Sequence, residues 1–276
     1  MECLLPATMS NWRIKMETNQ QTIAVVGVGN MGSAIIKGLV NTNQFNIIGE
    51  NPDNPRVTKL GQDLGFTVVN NNQDVVNANP DFVVLTTPAP ITIKIAQELS
   101  QLPASTTVIS AAAGVSLKEL QSVITNATVA TMIPNTPVAV NAGTIGLALP
   151  EAITDEKANK IIAFLKLLGD VIPVSENQLD IVGVIGGCGP AFVDVFMDAM
   201  SDGAVANGMN RQTAYRLISS MVKGTGKLAF DTNKLPAELR DQVTSPAGTT
   251  IKGVMALEKN QFRYAVIDAI NKAAGK

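Results

Sequence analysis

Gly27, Gly29 and Gly32 stand one and then two residues apart, directly behind the apolar run Thr22-Ile23-Ala24-Val25-Val26. Ser33 to Val40 follows, with Ile36 and Leu39-Val40 spaced for one side of a helix. A glycine turn between a buried strand and a helix start is where main-chain N–H groups can hold a diphosphate. The first glycine permits the tight turn, the second lets phosphates approach the backbone, and the third lets the helix pack closely on the strand. Gly27, Val28, Gly29, Asn30, Met31 and Gly32 are therefore the candidate cradle of a dinucleotide. The competing reading is a purely structural glycine turn.

The choice between NAD(H) and NADP(H) falls about 20 residues beyond the glycines, at the end of the second strand. Glu50 there would bind a ribose hydroxyl. Asn51, with Arg56 or Lys59 nearby, would instead admit a 2′-phosphate. One residue of register decides between them; NADP(H) is favoured, with NAD(H) the other possibility.

The chain has 276 residues and no histidine. That excludes Ser-His-Asp triads, histidine-ligated zinc and histidine-dependent alcohol oxidation, and no metal site is expected. With 46% hydrophobic and 16% charged residues it is a folding chain, long enough for a large α/β domain or for a core domain with a smaller partner. A net charge of -2 argues against a nucleic-acid surface. Cys3 and Cys188 form no disulfide framework, so a cytoplasmic setting is expected. Residues 1–20 lack the pattern of a signal peptide and are expected to be a poorly ordered extension. The apolar run Leu179 to Met200 carries Asp180, Asp194, Asp198, Pro190 and several glycines, and reads as too interrupted to span a membrane.

These residues need elements to position them. Further strands are predicted over Phe45–Gly49, Phe66–Val69, Phe82–Thr86, Thr107–Ser110, Thr128–Met132, Thr144–Leu149 and Val171–Val174. The intervening helices are Arg56–Leu64, Gln73–Ala78, Ile91–Leu99, Ser116–Ile124 and Asp155–Leu168, the last capped by Thr154 or Asp155 and closed by Gly169. Such alternation means a doubly wound, mostly parallel sheet of Rossmann type over residues 21–174. From residue 175 to 276 the pattern is all helical: Pro190–Asn207, Arg211–Phe230, Pro236–Gln242, Thr250–Glu258 and Phe262–Ala274. These helices are more apolar than a thin cover requires, so self-association is expected.

The run Leu239-Arg240-Asp241-Gln242-Val243-Thr244-Ser245-Pro246-Ala247-Gly248-Thr249-Thr250-Ile251-Lys252-Gly253 resembles the signature of pyrroline-5-carboxylate reductases. The resemblance extends through Gly27–Gly32, Ser110–Val115, Met132–Pro137, Gly187–Phe192 and Asp202–Ala204. It implies reduction of the C=N bond of 1-pyrroline-5-carboxylate to L-proline with NADPH or NADH, as the last step of proline biosynthesis. It also implies a homodimer or larger assembly in which the helical part serves dimerisation and substrate binding. A protonated cyclic imine accepts hydride without a strong acid, so positioning is the main task and histidine is dispensable. By the resemblance Thr250 is the hydroxyl that hydrogen-bonds and orients the substrate. Ser245, Gly248, Thr249 and Thr250 form a small-residue turn whose N–H groups can hold the carboxylate; an ordinary helix cap is the plainer alternative. Asn51, Asn72, Thr87, Ala113 and Asn135 fall at cofactor-proximal positions. Asn72 could instead be a turn residue, and Asn135 a brace between two prolines.

Two departures stand out. Where the family usually reads Val-Lys-Pro after the fourth strand, this chain has Thr86-Thr87-Pro88-Ala89-Pro90, without the lysine. Cys188 replaces the usual serine, and a small buried side chain at a tight helix approach fits it better than a nucleophile. A β-hydroxyacid dehydrogenase of similar architecture would need a catalytic lysine, but Lys166 and Lys223 lack the expected neighbours. A catalytically silent dinucleotide-binding protein is the remaining alternative.

Overall fold

The computed structural model describes residues 20–276, so the extension expected at the N-terminus lies, apart from Gln20, outside the described residues. Strands and helices alternate as β1 (Thr22–Val26), α1 (Asn30–Thr42), β2 (Asn46–Glu50), α2 (Pro55–Leu64), β3 (Thr67–Val69), α3 (Asn72–Asn77), β4 (Phe82–Leu85), α4 (Ala89–Glu98), β5 (Thr107–Ser110), α5 (Leu117–Val123) and β6 (Thr128–Ile133). Side chains that would compete with a helix interior start several of these helices. Asn54, Asn71 and Ser116 each accept an N–H from the first turn they precede. The strands read as unbroken apolar runs because helices cover both faces of the sheet. Ile23, Val25, Phe82, Val84 and Ile109 pack with α1 and α2 on one side, and Ala24, Val26, Val83, Leu85 and Val108 pack with α3, α4 and α5 on the other.

The sheet order is β3-β2-β1-β4-β5-β6-β7-β8, completed by β7 (Gly143–Ala148) and, after α6 (Asp155–Lys166), β8 (Gly169–Pro173). The reversal between β1 and β4 opens a crevice at the carboxyl ends of the strands.

The sheet is mostly parallel, as expected, and only the β6–β7 pair is antiparallel. Between them lies only a short connection with a 3-10 turn at Thr136–Val140, too little chain for a crossover helix. Thr154 does cap α6, but Gly169 does not close it. Leu167 is the C-cap, and Gly169 opens β8 with φ 151, against Gly143, where a Cβ would collide with the backbone.

A second correction concerns the apolar run. Its glycines and Pro190 do not interrupt the helix, which continues from Glu176 to Ala206 with a mean hydropathy of 1.6 in its most apolar window. It comprises a short 3-10 turn, α7 (Leu179–Val182), a π-helical turn over Gly183–Cys188 and α8 (Gly189–Ala206). Cys188 at the end of the turn is exposed rather than buried at a tight approach, because the turn faces open space there. By length and composition the helix could cross a membrane. Its apolar side, however, belongs to a larger unpartnered surface. α9 (Arg211–Thr232), α10 (Pro236–Gln242), α11 (Thr249–Lys259) and α12 (Phe262–Ala273) complete the fold. Among the described residues, apart from Ile91, Val140 and Ile172, every exposed large apolar side chain lies beyond residue 180. An apolar groove lined by Phe192, Val195, Phe196, Phe262 and Val266 runs between α8 and α12.

Candidate functional site

Each glycine of the turn has a separate physical reason. Gly27 adopts φ 92, and a Cβ there would lie 2.7 Å from Thr87 Cγ2. Gly29 faces open space. At Gly32 a Cβ would overlap the Gly27 carbonyl oxygen and lie 2.7 Å from Thr86 Oγ1. Gly29 is the N-cap of α1, with no side-chain cap and no acidic residue in the first turn. The first N–H groups of α1 are thus left for an anion, supported by the positive end of the helix dipole. Val28 is fully buried and offers only its backbone, whereas Asn30 is exposed and Met31 half-buried. Thr86 went unrecognised in the sequence: its hydroxyl donates to the Gly27 carbonyl at 2.7 Å and braces the turn from β4. Its place, one residue beyond the strand adjoining β1, was the available signal.

At the second strand, Glu50 pairs in register with Val26, which pairs with Leu85. In-register neighbours share a face, so Glu50 turns toward α3 and α4 and is 6% exposed. Burial and then the nearby Glu98 charge hold its carboxyl above the usual range. Asn51 follows, half-buried, with its amide donating to the Pro52 carbonyl at 2.8 Å. Arg56 reaches the other face, where its guanidinium donates to the Val28 carbonyl at 2.6 Å and lies 3.5 Å from the Ser33 hydroxyl. Lys59 instead pairs with Asp63 along α2 at 2.9 Å. Asn72 donates to Glu98 at 2.7 Å, but its Oδ1 is buried without a partner. A buried acceptor left unpaired is costly, so this atom suits a hydroxyl from a bound group.

Toward the middle of the crevice, Thr87 is buried and its hydroxyl meets that of Thr92 at 2.9 Å. The residue at the position of the usual lysine therefore faces the glycine turn with a methyl group. Ala113 is exposed in the turn after β5, beside the end of β4. Asn135 is buried, and both polar atoms of its amide bond within the protein. Together the glycine turn, Arg56 and the unpaired Asn72 oxygen fit a dinucleotide lying along the crevice.

The loop Ser245–Thr250 belongs to the helical part. Ala247 has φ 58 and the Gly248 N–H returns to the Ser245 carbonyl at 3.0 Å. A Cβ at Gly248 would strike the Ser245 hydroxyl. Gly248 is the N-cap of α11 and no side chain caps the helix, so the ordinary cap expected as the alternative is not formed. Thr249 and Thr250 occupy the first two helical positions, both exposed, with N–H groups open to a carboxylate.

A family model described as pyrroline-5-carboxylate reductase dimerisation matches residues 176–276, and one described as NADP oxidoreductase coenzyme F420-dependent matches residues 22–114. The pyrroline-5-carboxylate reductase of Escherichia coli is 33% identical over 262 residues, covering 93% of this chain and 97% of that protein. The chain belongs to the pyrroline-5-carboxylate reductase family. Its Synechocystis relative is likewise 33% identical, over 91% of this chain and 95% of that protein. The solved structure of the Coxiella burnetii pyrroline-5-carboxylate reductase superposes with a TM-score of 0.79 at 29% identity, covering 93% of this chain and 97% of that one. The family is one of NAD(P)-dependent oxidoreductases, and the match to its dimerisation region accounts for the apolar surface of α8 to α12 as a self-association surface. The β-hydroxyacid dehydrogenase reading is not favoured.

Proposed function

We propose that the protein reduces 1-pyrroline-5-carboxylate to L-proline with NADPH preferred over NADH, in the cytoplasm, using residues 21–174 for the cofactor and residues 175–276 for substrate and dimerisation. The observation that supports it most is the pairing of an open glycine turn with an uncapped helix start at Gly248–Thr250, one site for a diphosphate and one for a carboxylate. When bound, NADPH supplies hydride. The main-chain N–H groups of Thr249 and Thr250 hold the substrate carboxylate, and the Thr250 hydroxyl orients the ring nitrogen. An unperturbed threonine is a poor acid, and the protonated imine asks only for alignment. The preference for NADPH is supported by Glu50 being turned to the α3 face while Arg56 sits beside the glycine turn.

The reading is tested by following NADPH absorbance with 1-pyrroline-5-carboxylate. Thr250→Ala is expected to lower kcat roughly tenfold, the loss of about one hydrogen bond, at unchanged cofactor affinity. Equal loss of NADPH binding would give Thr250 another role. NADPH oxidation only with a β-keto or semialdehyde acid would favour the dehydrogenase, and binding without turnover the silent protein. Arg56→Ala is expected to lower kcat/KM for NADPH roughly 10- to 100-fold, as loss of a charge-assisted phosphate contact would, and to leave NADH within about twofold. An equal fall with both cofactors would make Arg56 merely a brace for Val28.

A further inference from the structure

Pro190 lies inside the continuous helix that ends at Ala206. Proline has no N–H for the carbonyl four residues back, and its ring crowds that carbonyl. The carbonyl is that of Gly186. The helix responds by widening: Gly183–Cys188 is π-helical, and the Gly189 N–H goes to Val184, five residues back. A residue from outside the helix then takes the Gly186 carbonyl. Asn135 Nδ2 donates to it at 3.1 Å, while Asn135 Oδ1 accepts the Thr144 N–H at 2.8 Å. One buried amide thus ties the β6–β7 connection to the widened turn.

The glycines of this turn are not required by crowding within the protomer. Gly186, Gly187 and Gly189 have open space where a Cβ would stand; their backbone freedom loosens the turn. Before the turn the helix is pinned, because Val182 lies against Gly146 of β7 where no Cβ fits. Beyond it, α12 packs on the π-helical turn and α11, which begins at Thr249, packs on α12. The helix is fixed before the turn by Val182, and the start of the turn also rests on β6 and β7 through buried Val184. At the carbonyl freed by Pro190 the tie to the sheet is the Asn135 amide, which is the arrangement of a hinge with a stop.

We infer that Asn135 is a positioning residue: its hydrogen bond to Gly186 sets the angle of the helical part, and with it the Ser245–Thr250 loop, against the cofactor sheet. The inference rests on the reductase reading. Three variants test it: Asn135→Asp, Asn135→Ala, and Asn135→Ala combined with Pro190→Ala. Wild-type turnover is measured first, so that failure of the reaction and failure of the hinge are distinguishable. N135D keeps an acceptor for Thr144 but offers Gly186 no N–H. Its kcat is expected to fall about tenfold, while its Kd for NADPH stays within about twofold of wild type. Hydrogen exchange of amides 183–192 is expected to speed up about tenfold in the same variant, the signature of a lost hydrogen bond.

Pro190→Ala returns an N–H to position 190, so that the helix satisfies Gly186 by itself. In the double variant exchange should slow to near the wild-type rate while kcat stays low, because the stop is still missing. Recovery of kcat together with slow exchange would show that Asn135 only satisfies a carbonyl, and would overturn the inference. Unchanged kcat in N135D would overturn it as well. Were the wild type inactive on 1-pyrroline-5-carboxylate, the reaction would be refuted, and unchanged exchange in N135D would refute the hinge separately.

Discussion

Gly32→Ala is expected to abolish cofactor binding, whereas Gly29→Ala is expected to weaken it in a protein of nearly normal stability. The two substitutions add the same methyl group three residues apart. At Gly32 it overlaps the Gly27 carbonyl oxygen and crowds the Thr86 hydroxyl, both held by the β1–β4 pairing. α1 must move outward, and its N–H groups move with it. Misplacement by about 1 Å costs on the order of 100-fold where the ligand is held by geometry. Thermal stability should fall too, because α1 is buried through Ile35, Ile36 and Leu39. At Gly29 the methyl group meets nothing, and φ -80 is open to alanine. Exchanging glycine for alanine at a helix N-cap costs about 0.5 kcal/mol, a shift of roughly 1–2 °C in Tm. The methyl group does occupy the phosphate approach, so the Kd for NADPH should rise at least about tenfold. Fluorescence titration and a melting curve read both effects. Wild-type affinity in Gly32→Ala would mean that the turn is only structural.

That contrast could be anticipated from the sequence because strand, glycines and helix are contiguous, and each glycine's task follows from its neighbours in the chain. Features that depend on residues far apart were not legible in the same way. The orientation of Glu50 required the parity of β2 against β1 and β4, which a strand predicted one residue too early at Phe45 leaves open. The brace from Thr86 required knowing that β4 lies beside β1. The reversal of β7 came from the brevity of its connection to β6, although the segment itself read correctly as a strand. Asn135 is the clearest case. Between two prolines it reads as a brace or a pocket residue; only the missing N–H of Pro190 explains why its amide turns to Gly186. The π-helical turn was invisible for a related reason. Four glycines and a proline within eight residues look like a broken helix, and the N–H that Asn135 donates from outside to the Gly186 carbonyl is what the sequence does not show.

Val195→Asp is expected to separate the protomers and to lower turnover at least about 100-fold while cofactor binding survives. Val195 is 71% exposed in the single protomer and borders the apolar groove between α8 and α12. An aspartate there costs a lone protomer almost nothing, since it replaces an apolar side chain that water already reaches. Where the self-association surface closes over this groove, the same carboxylate would be buried without a partner. Such a charge costs about 3–5 kcal/mol, which raises the dissociation constant by roughly two to three and a half orders of magnitude. The helical part has few buried side chains of its own, among them Leu179, Val184, Ala214 and Ile218. Without its partner it cannot hold α11 in place, so the Ser245–Thr250 loop loses its position. The sheet keeps its two apolar layers and its glycine turn, because those contacts are made almost wholly within β1 to β7 and the helices that cover them. Sedimentation at micromolar protein should therefore show the smaller species, still binding NADPH with near wild-type affinity but barely reducing 1-pyrroline-5-carboxylate. A variant that sediments as a monomer and turns over at the wild-type rate would show that one protomer holds a complete site, and would remove the reason for its unpartnered apolar helices.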